Sequence, residues 1–545
     1  MTPSTLFTAG NTPDAPRSDL PDLLQALAAD LRRIGYTVDG VAELLGPEAH
    51  AALARDQLVP ALIATDAAAQ LGTTTAALAA VVRLWLLAEP QTPGTLDAAL
   101  PGIRTEGLQQ LGLVEASGDG RIQAKVDLRP YGWDPSVDED GTASGGAELW
   151  VASDLAAHQR PGVLRHDHVL GIGQASTTLV QVTARRHVAR ALDLGTGCGI
   201  QAFHLLHHAE HVTATDISER ALAFTRFNLV LNAGALHLDP AHLEERVSLR
   251  LGSLLDPVAG QEFDLVVSNP PFVITPRTAG EAAADQFTYR DGGLPGDDIV
   301  DALVRGLPGI LAPGGTAQLL GNWEIPAGTA WDERPRTWVA PESDAWFIQR
   351  EQVSPGQYAE TWLQDASEAR DRRLYRDSYA AYLADFAARN VEAIGFGMIW
   401  LRRPAPGARP VLCRFEEITY PIEQPVGPHL GAAVERVDWL AGHELEPAHL
   451  VVADDVTEER HQRPGAEHPG VILLRQGAGL RRTNLLSTEL AGFVSACDGE
   501  LAVGQIIGAL DALLGGYEGY DAGAFRRGLL EEVANLVRDG FLLPA

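Results

Sequence analysis

Between residues 191 and 200 the chain reads Ala-Leu-Asp-Leu-Gly-Thr-Gly-Cys-Gly-Ile. An apolar run ends at Asp193 and Leu194, glycines follow at Gly195, Gly197 and Gly199, and an apolar helical pattern begins at once. A strand that turns this sharply into a helix needs glycine, because glycine adopts positive φ cheaply and lets a ligand lie against bare backbone. The following helix is expected over 200–208. A second apolar strand, 211–216, then ends on Asp216, about 20 residues beyond the loop, where a carboxylate can accept ribose hydroxyls. An amphipathic helix over 218–232 follows, with Ser218 as its N-cap and Gly234 just past its end. Further strands are expected at 249–255, 263–267 and 316–320. Strands alternating with helices in this way predict an α/β fold built on a parallel sheet.

The spacing here is Gly-x-Gly-x-Gly, whereas the dinucleotide fingerprint is Gly-x-Gly-x-x-Gly with room for a pyrophosphate at the helix N-terminus. NAD is therefore the competing ligand and not the favoured one. The fourth strand runs directly into Val267-Ser-Asn-Pro-Pro-Phe272. With these two motifs in this order, residues 160–325 resemble the class I S-adenosylmethionine (SAM)-dependent methyltransferases. Within them the chain is similar to the N-methyltransferases that carry an Asn/Asp-Pro-Pro-Tyr/Phe motif. The resemblance implies a Rossmann-like seven-stranded sheet, with SAM as cofactor. It also implies that Asp193 and the backbone of Gly195 and Gly197 hold the methionine part, with Thr196 and Gly199 in the same cofactor-binding loop. Asp216 would take the ribose, Ile217 the face of the adenine, and Gly252 and Ser253, where relatives often have Asp, the adenine edge.

The same resemblance gives the chemistry. Amide and aromatic amino nitrogens are poor nucleophiles because their lone pair is delocalised. The Asn269 side-chain oxygen and the Pro270 carbonyl would accept their N–H groups and aim the nitrogen at the methyl donor, so catalysis is alignment and electrostatics. Pro270 and Pro271 stiffen the loop, and Phe272 offers a face to a flat acceptor. Asn269 also borders the cofactor site. The motif resembles that of the release-factor glutamine methyltransferases, which typically have Tyr where this chain has Phe272; Phe is more typical of guanine-N2 and some adenine-N6 enzymes. A protein glutamine ranks first as acceptor, an RNA or DNA base second and a small molecule third. A SAM-binding scaffold with partner-docking modules is the non-catalytic alternative.

Other constellations are weaker. His204, His207, His208 and His211 include an i,i+4 pair, yet they fall on the helix after the glycine loop and beside it, and no metal site is expected. Arg165-His-Asp-His168 reads as a polar loop, and 168–177 as either a cap over the cofactor or a helix start. Cys198, Cys413 and Cys497 form no Cys-x-x-Cys pair.

A chain of 545 residues exceeds one ordinary core. Three parts are expected: a helical, winged-helix-like module over 18–133, the methyltransferase domain over 147–420 with an insertion at 323–390, and a second small winged-helix-like module over 447–545. The acidic, glycine-rich 134–146 reads as a linker, and the insertion as a possible lid. Strands at 392–403 and 411–417 would close the sheet as antiparallel members. Absence of a signal-like start or a long apolar run points to a cytoplasmic protein with no membrane partner. The net charge of −30 shows no basic stripe of the kind that phosphate backbones select, which tilts the acceptor towards protein.

Overall fold

The computed structural model describes residues 5–545 apart from 135, 138–142, 145, 158, 160–164, 278–291, 366–371 and 515–520. It divides into two compact units, one of 1–180, 187–343 and 351–406, the other of 181–186, 344–350 and 407–545.

In the first unit seven strands lie side by side in the order Thr5–Leu6, Val247–Leu251, Ala209–Asp216, Val188–Leu194, Phe263–Ser268, Leu311–Pro326 and Val391–Arg402. The five inner strands run parallel, and buried apolar residues such as Leu192, Val212, Leu249, Val266 and Leu319 line them. Thr5–Leu6 and Val391–Arg402 are antiparallel to their neighbours. Register brings the carboxyl ends of these strands to one edge: Leu194 pairs with Ser268, Ser268 with Leu319, and Leu251 with Asp216. Strand order reverses on either side of Val188–Leu194, and the crevice beyond the carboxyl ends at such a switch point is where open α/β sheets bind ligands.

The helix after the glycine loop is shorter than expected, Ile200–Leu205. Glu219–Leu231 starts on Ser218, whose side chain accepts the Ala221 N–H. The fifth strand is much longer than its expected 316–320. Trp323, read as the start of an insertion, is instead a fully buried strand residue paired with Gly395. Beyond it the helices Pro355–Asp365 and Arg372–Ala388 bury Tyr358, Leu363, Tyr382 and Phe386 against Ile274 and Ile394. The inserted helices are therefore part of the core of this unit.

The N-terminal helices and the hairpin Val114–Ala116 with Ile122–Ala124 lie in the same compact unit as the sheet. The expected boundary at 134–146 does not divide two bodies. Its flanks, Val126–Trp133 and Ala147–Asp154, form one antiparallel ladder, and its described parts, Ser136–Val137 and Ala143–Ser144, pair with each other. Asn228 in Glu219–Leu231 and Asn232, the C-cap of that helix, bind the backbone of Ala152 and Trp150 at 2.7–2.9 Å, while Trp150 Nε1 donates to Tyr36 O at 2.7 Å. Those bonds stitch the module to the helix Glu219–Leu231 and its C-cap, a link that pattern reading cannot see.

The second unit packs helices Thr488–Val494, Val503–Leu514 and Ala522–Asp539 around Phe493, Val503, Val533 and Phe541. The stretch after 447, which reads as acidic and disordered, forms the strands His449–Val452, Val456–His461 and Val471–Gln476. Val456–His461 buries none of its residues fully and is rich in charge, which hid the strand in the sequence. Cys413–Glu417, expected as an antiparallel closing strand, pairs parallel with residues 345–349.

Candidate active site

The glycine loop follows the first inner strand without a break. Gly195 and Gly197 have φ of +78° and +57°, and a Cβ on either would meet nothing within 4 Å, so the loop presents bare backbone to open space. Gly199 has no such freedom: a Cβ there would meet Thr225 at 3.2 Å, so this glycine lets the loop sit against the next helix. That helix also grips the loop from below. Thr225 Oγ1 donates to Gly197 O at 2.9 Å, and Asn228 Nδ2 to Cys198 O at 2.9 Å. Both side chains are fully buried, and sequence reading missed them. Their signal was two polar residues on a helix face otherwise apolar.

The two acidic residues do different work. Asp193 is 1% exposed and turned into the loop, where its Oδ2 accepts from Thr196 Oγ1 at 2.7 Å and Ala202 N at 3.1 Å. Through that oxygen it clips the loop shut. Asp216 accepts from Gly197 N at 3.0 Å with Oδ2 and from Ser218 N at 2.9 Å with Oδ1, which fixes its orientation and leaves each oxygen a lone pair. Beside it Ile217 is 57% exposed, an apolar side chain held open at the strand end. Gly252 N donates to Asp216 O at 3.0 Å, and Ser253 is exposed. Asp193, Thr196, Asp216, Ile217, Gly252 and the glycines thus cluster at one edge of the sheet.

Burial raises the carboxyl of Asp193 to about 7, opposed by the bonds from Thr196 and Ala202. A group that holds its proton more tightly when folded contributes stability below its unfolded pKa, and loses it as pH rises through the folded value. Asp193 thus makes the fold less stable between about pH 4 and about pH 7. Asp193→Asn is expected to flatten that decline. Denaturant titrations of both proteins at several pH values check it; parallel profiles would refute it. Burial likewise raises Asp216, against the N–H groups of Ser218 and Gly197, and pushes the Cys198 thiol up to about 12, so that thiol is inert.

The neighbouring inner strand delivers Asn269-Pro-Pro-Phe272. Because Ser268 pairs with Leu194, Asn269 and Gly195 leave adjacent strands at the same level, strands that lie about 4.8 Å apart. Ser268 Oγ donates to Leu194 O at 2.7 Å, tying the two exits together. Asn269 Oδ1 is buried and has no hydrogen-bond partner among the described residues. A buried amide oxygen left unpaired costs about 1–3 kcal/mol, which marks an acceptor prepared for a donor from elsewhere. Pro270 O accepts the Phe272 N–H at 2.7 Å, a tight turn that leaves the carbonyl one further lone pair. Pro271 and Phe272 are half-buried.

These features fit SAM on the structure's own terms: an open backbone cradle, an oriented carboxylate with spare lone pairs, an exposed apolar platform and an orphaned acceptor. The remaining candidates lie elsewhere. His204 Nε2 bonds the Tyr131 hydroxyl at 2.7 Å and its ring lies 4.3 Å from that of Trp133, so it is a packed core histidine. His207 meets the edge of Trp133. His168 lies 3.6 Å from Asp154, which also pairs with Arg220 at 2.7 Å. From the 168–177 run, Ser176 O accepts Gln201 Nε2 at 2.9 Å, placing that run against the helix after the glycine loop. Among the described residues no helix is long and apolar enough to cross a membrane.

Residues 154–330 match the family described as the methyltransferase small domain, and residues 33–125 match DUF7059, a domain of unknown function. Among curated proteins, the chain is 33% identical over 187 residues to the ribosomal protein uL3 glutamine methyltransferase of Bradyrhizobium diazoefficiens, covering 33% of this chain and 55% of the relative. The corresponding enzyme of Xanthomonas campestris is 36% identical over 124 residues, 22% of this chain and 36% of the relative. The release factor glutamine methyltransferase of Geobacter sulfurreducens is 32% identical over 166 residues, 28% and 51%. The chain thus spans about half or less of the length of these relatives. Glycine cradle, oriented carboxylate and Asn-Pro-Pro-Phe exit stand in one crevice of an order-reversing parallel sheet, and the segment that builds them, residues 154–330, is the one that is similar to the methyltransferase small domain.

Proposed function

We propose that this protein methylates the side-chain amide nitrogen of a glutamine in a polypeptide. The observation that carries the reading is the buried, unpartnered Asn269 Oδ1 one step beyond Ser268, level with the glycine loop. When bound, SAM supplies a methyl group made electrophilic by its sulfonium. The loop 195–199 and Asp216 would bind and orient it, with Ile217 against the adenine and Ser253 at the adenine edge. Asn269 Oδ1 and the free lone pair of Pro270 O would accept the two N–H groups of the acceptor amide. Holding both pulls electron density toward nitrogen and fixes its approach, and such preorganised positioning is worth several kcal/mol without a covalent intermediate. Phe272 would lie on the flat amide.

The net charge of −30 supports a protein over a nucleic acid, since a phosphate backbone is repelled at long range by an acidic surface. The names of the matched relatives agree with a glutamine acceptor. Tritiated SAM, given with the pure enzyme to a cell extract, is expected to put label into material that protease destroys and nuclease does not. Acid hydrolysis should release the label as methylamine, and transfer should vary little with salt. Label recovered as N6-methyladenine or N2-methylguanine would overturn the glutamine assignment.

A further inference from the structure

The loop that presents Asn269 is held at both ends, and only one of the two fastenings lies in the motif. At its start Ser268 Oγ grips Leu194 O at 2.7 Å. At its far end the Ile274 N–H donates to the hydroxyl of Tyr358 at 2.8 Å, and the same hydroxyl receives Asn322 Nδ2 at 2.9 Å. Tyr358 belongs to the inserted helix Pro355–Asp365, more than eighty residues away in sequence, and Asn322 to the extension of the fifth strand. The ring of Tyr358 is 1% exposed, stacked on Phe396 at 5.7 Å and met edge-on by Phe386 at 5.5 Å. The hydroxyl therefore sits at a point fixed by packing on every side, and burial holds its proton far more tightly than in a free tyrosine. Asn322 Oδ1, also buried, has no partner among the described residues. Turning that amide over would leave its nitrogen unpaired instead, so the pair is organised around the tyrosine oxygen in either orientation.

We infer that Tyr358, seconded by Asn322, is a positioning residue of the acceptor site: its hydroxyl fixes the end of the loop 269–273 so that Asn269 Oδ1 and Pro270 O stay aimed at the incoming nitrogen. This rests on the reading of Asn-Pro-Pro-Phe as the acceptor site. Five residues pinned at both ends have little freedom, and prolines at two of them reduce it further. Without the hydroxyl, two buried donors, Ile274 N and Asn322 Nδ2, lose their acceptor, and the loop must shift to satisfy them. A displacement of about 1 Å at a reacting group costs on the order of 100-fold in rate. The glycine loop, fastened separately by Thr225 and Asn228, is untouched.

The test compares wild type, Tyr358→Phe, Leu363→Ala and Asn269→Ala, each as the full chain. Tritiated SAM is the probe, and separate protein and RNA fractions of one extract are both offered as acceptors, so that rates are read on whichever fraction the wild type labels. Tyr358→Phe should lower the rate at saturating SAM by about 10- to 100-fold. The SAM concentration for half-maximal rate and the calorimetric affinity for SAM should stay within about twofold, and the Ile274 amide should exchange faster. Leu363→Ala opens a hole in the same cluster while leaving the tyrosine hydroxyl and the rings of Phe386 and Phe396 in place, and is expected to lower stability while leaving the saturated rate near wild type. A Tyr358→Phe protein with wild-type rate, or one whose rate and SAM affinity fall together, overturns the inference. If Asn269→Ala itself keeps full turnover, the acceptor-site reading falls and takes the inference with it. If Asn269→Ala collapses while Tyr358→Phe does not, the positioning role alone is wrong. Label in the RNA fraction revises the acceptor and leaves the test of Tyr358 intact.

Discussion

Asn269→Ala is expected to reduce turnover at least about 100-fold while leaving the affinity for SAM nearly unchanged, since loss of one oriented hydrogen-bonding group at a reacting centre typically costs that much. The expectation comes from the way its side chain is held. Asn269 Oδ1 is buried without a partner among the described residues, so removing it relieves the free protein of an unpaired acceptor rather than breaking a bond. The variant should therefore be no less stable than the wild type, and a fall in rate with full stability separates chemistry from folding. Initial rates at saturating SAM, calorimetry and a thermal scan on one preparation decide the matter. Turnover close to wild type would rule out the motif as the acceptor.

Asp216→Ala should produce the opposite pattern, with binding lost first. Its carboxylate receives the Gly197 and Ser218 N–H groups, so it is the strut of the glycine loop as well as, on the proposed reading, a ligand group. Hydrogen bonds to a charged acceptor are worth about 1.5–3 kcal/mol, which corresponds to a loss of SAM affinity of about 10- to 150-fold. Release of the Gly197 N–H adds to that loss. Asp216→Asn, which keeps the shape but replaces one acceptor oxygen by a donor, is expected to fall between the two. Calorimetric titration with SAM checks both, and an unchanged affinity in Asp216→Ala would remove the ribose assignment.

Much of the site was legible in the sequence because the chemistry is local. A bare-backbone turn between strand and helix requires Gly195, Gly197 and Gly199 at their spacing, Asp216 ends its strand, and Asn269 precedes two prolines that stop a strand; each is a property of a few consecutive residues. The alternation of apolar strands with capped helices was enough to state a parallel α/β sheet. What it left undecided depends on distance through space. The motif shows Asp193 at the end of its strand, but not that Thr196 and Ala202 both donate to one of its carboxylate oxygens. The grip of Thr225 and Asn228 on the glycine loop appears only once the helix is laid against it. Trp323 looked like the start of an insertion because its antiparallel partner, Gly395, lies seventy-two residues on. Only tertiary structure could place Tyr358 at the end of the Asn-Pro-Pro-Phe loop, or join the N-terminal helices to the sheet through Asn228, Asn232 and Trp150. Sequence fixes what a short segment can do by itself, whereas hydrogen-bond partners contributed by remote strands and helices are chosen by packing.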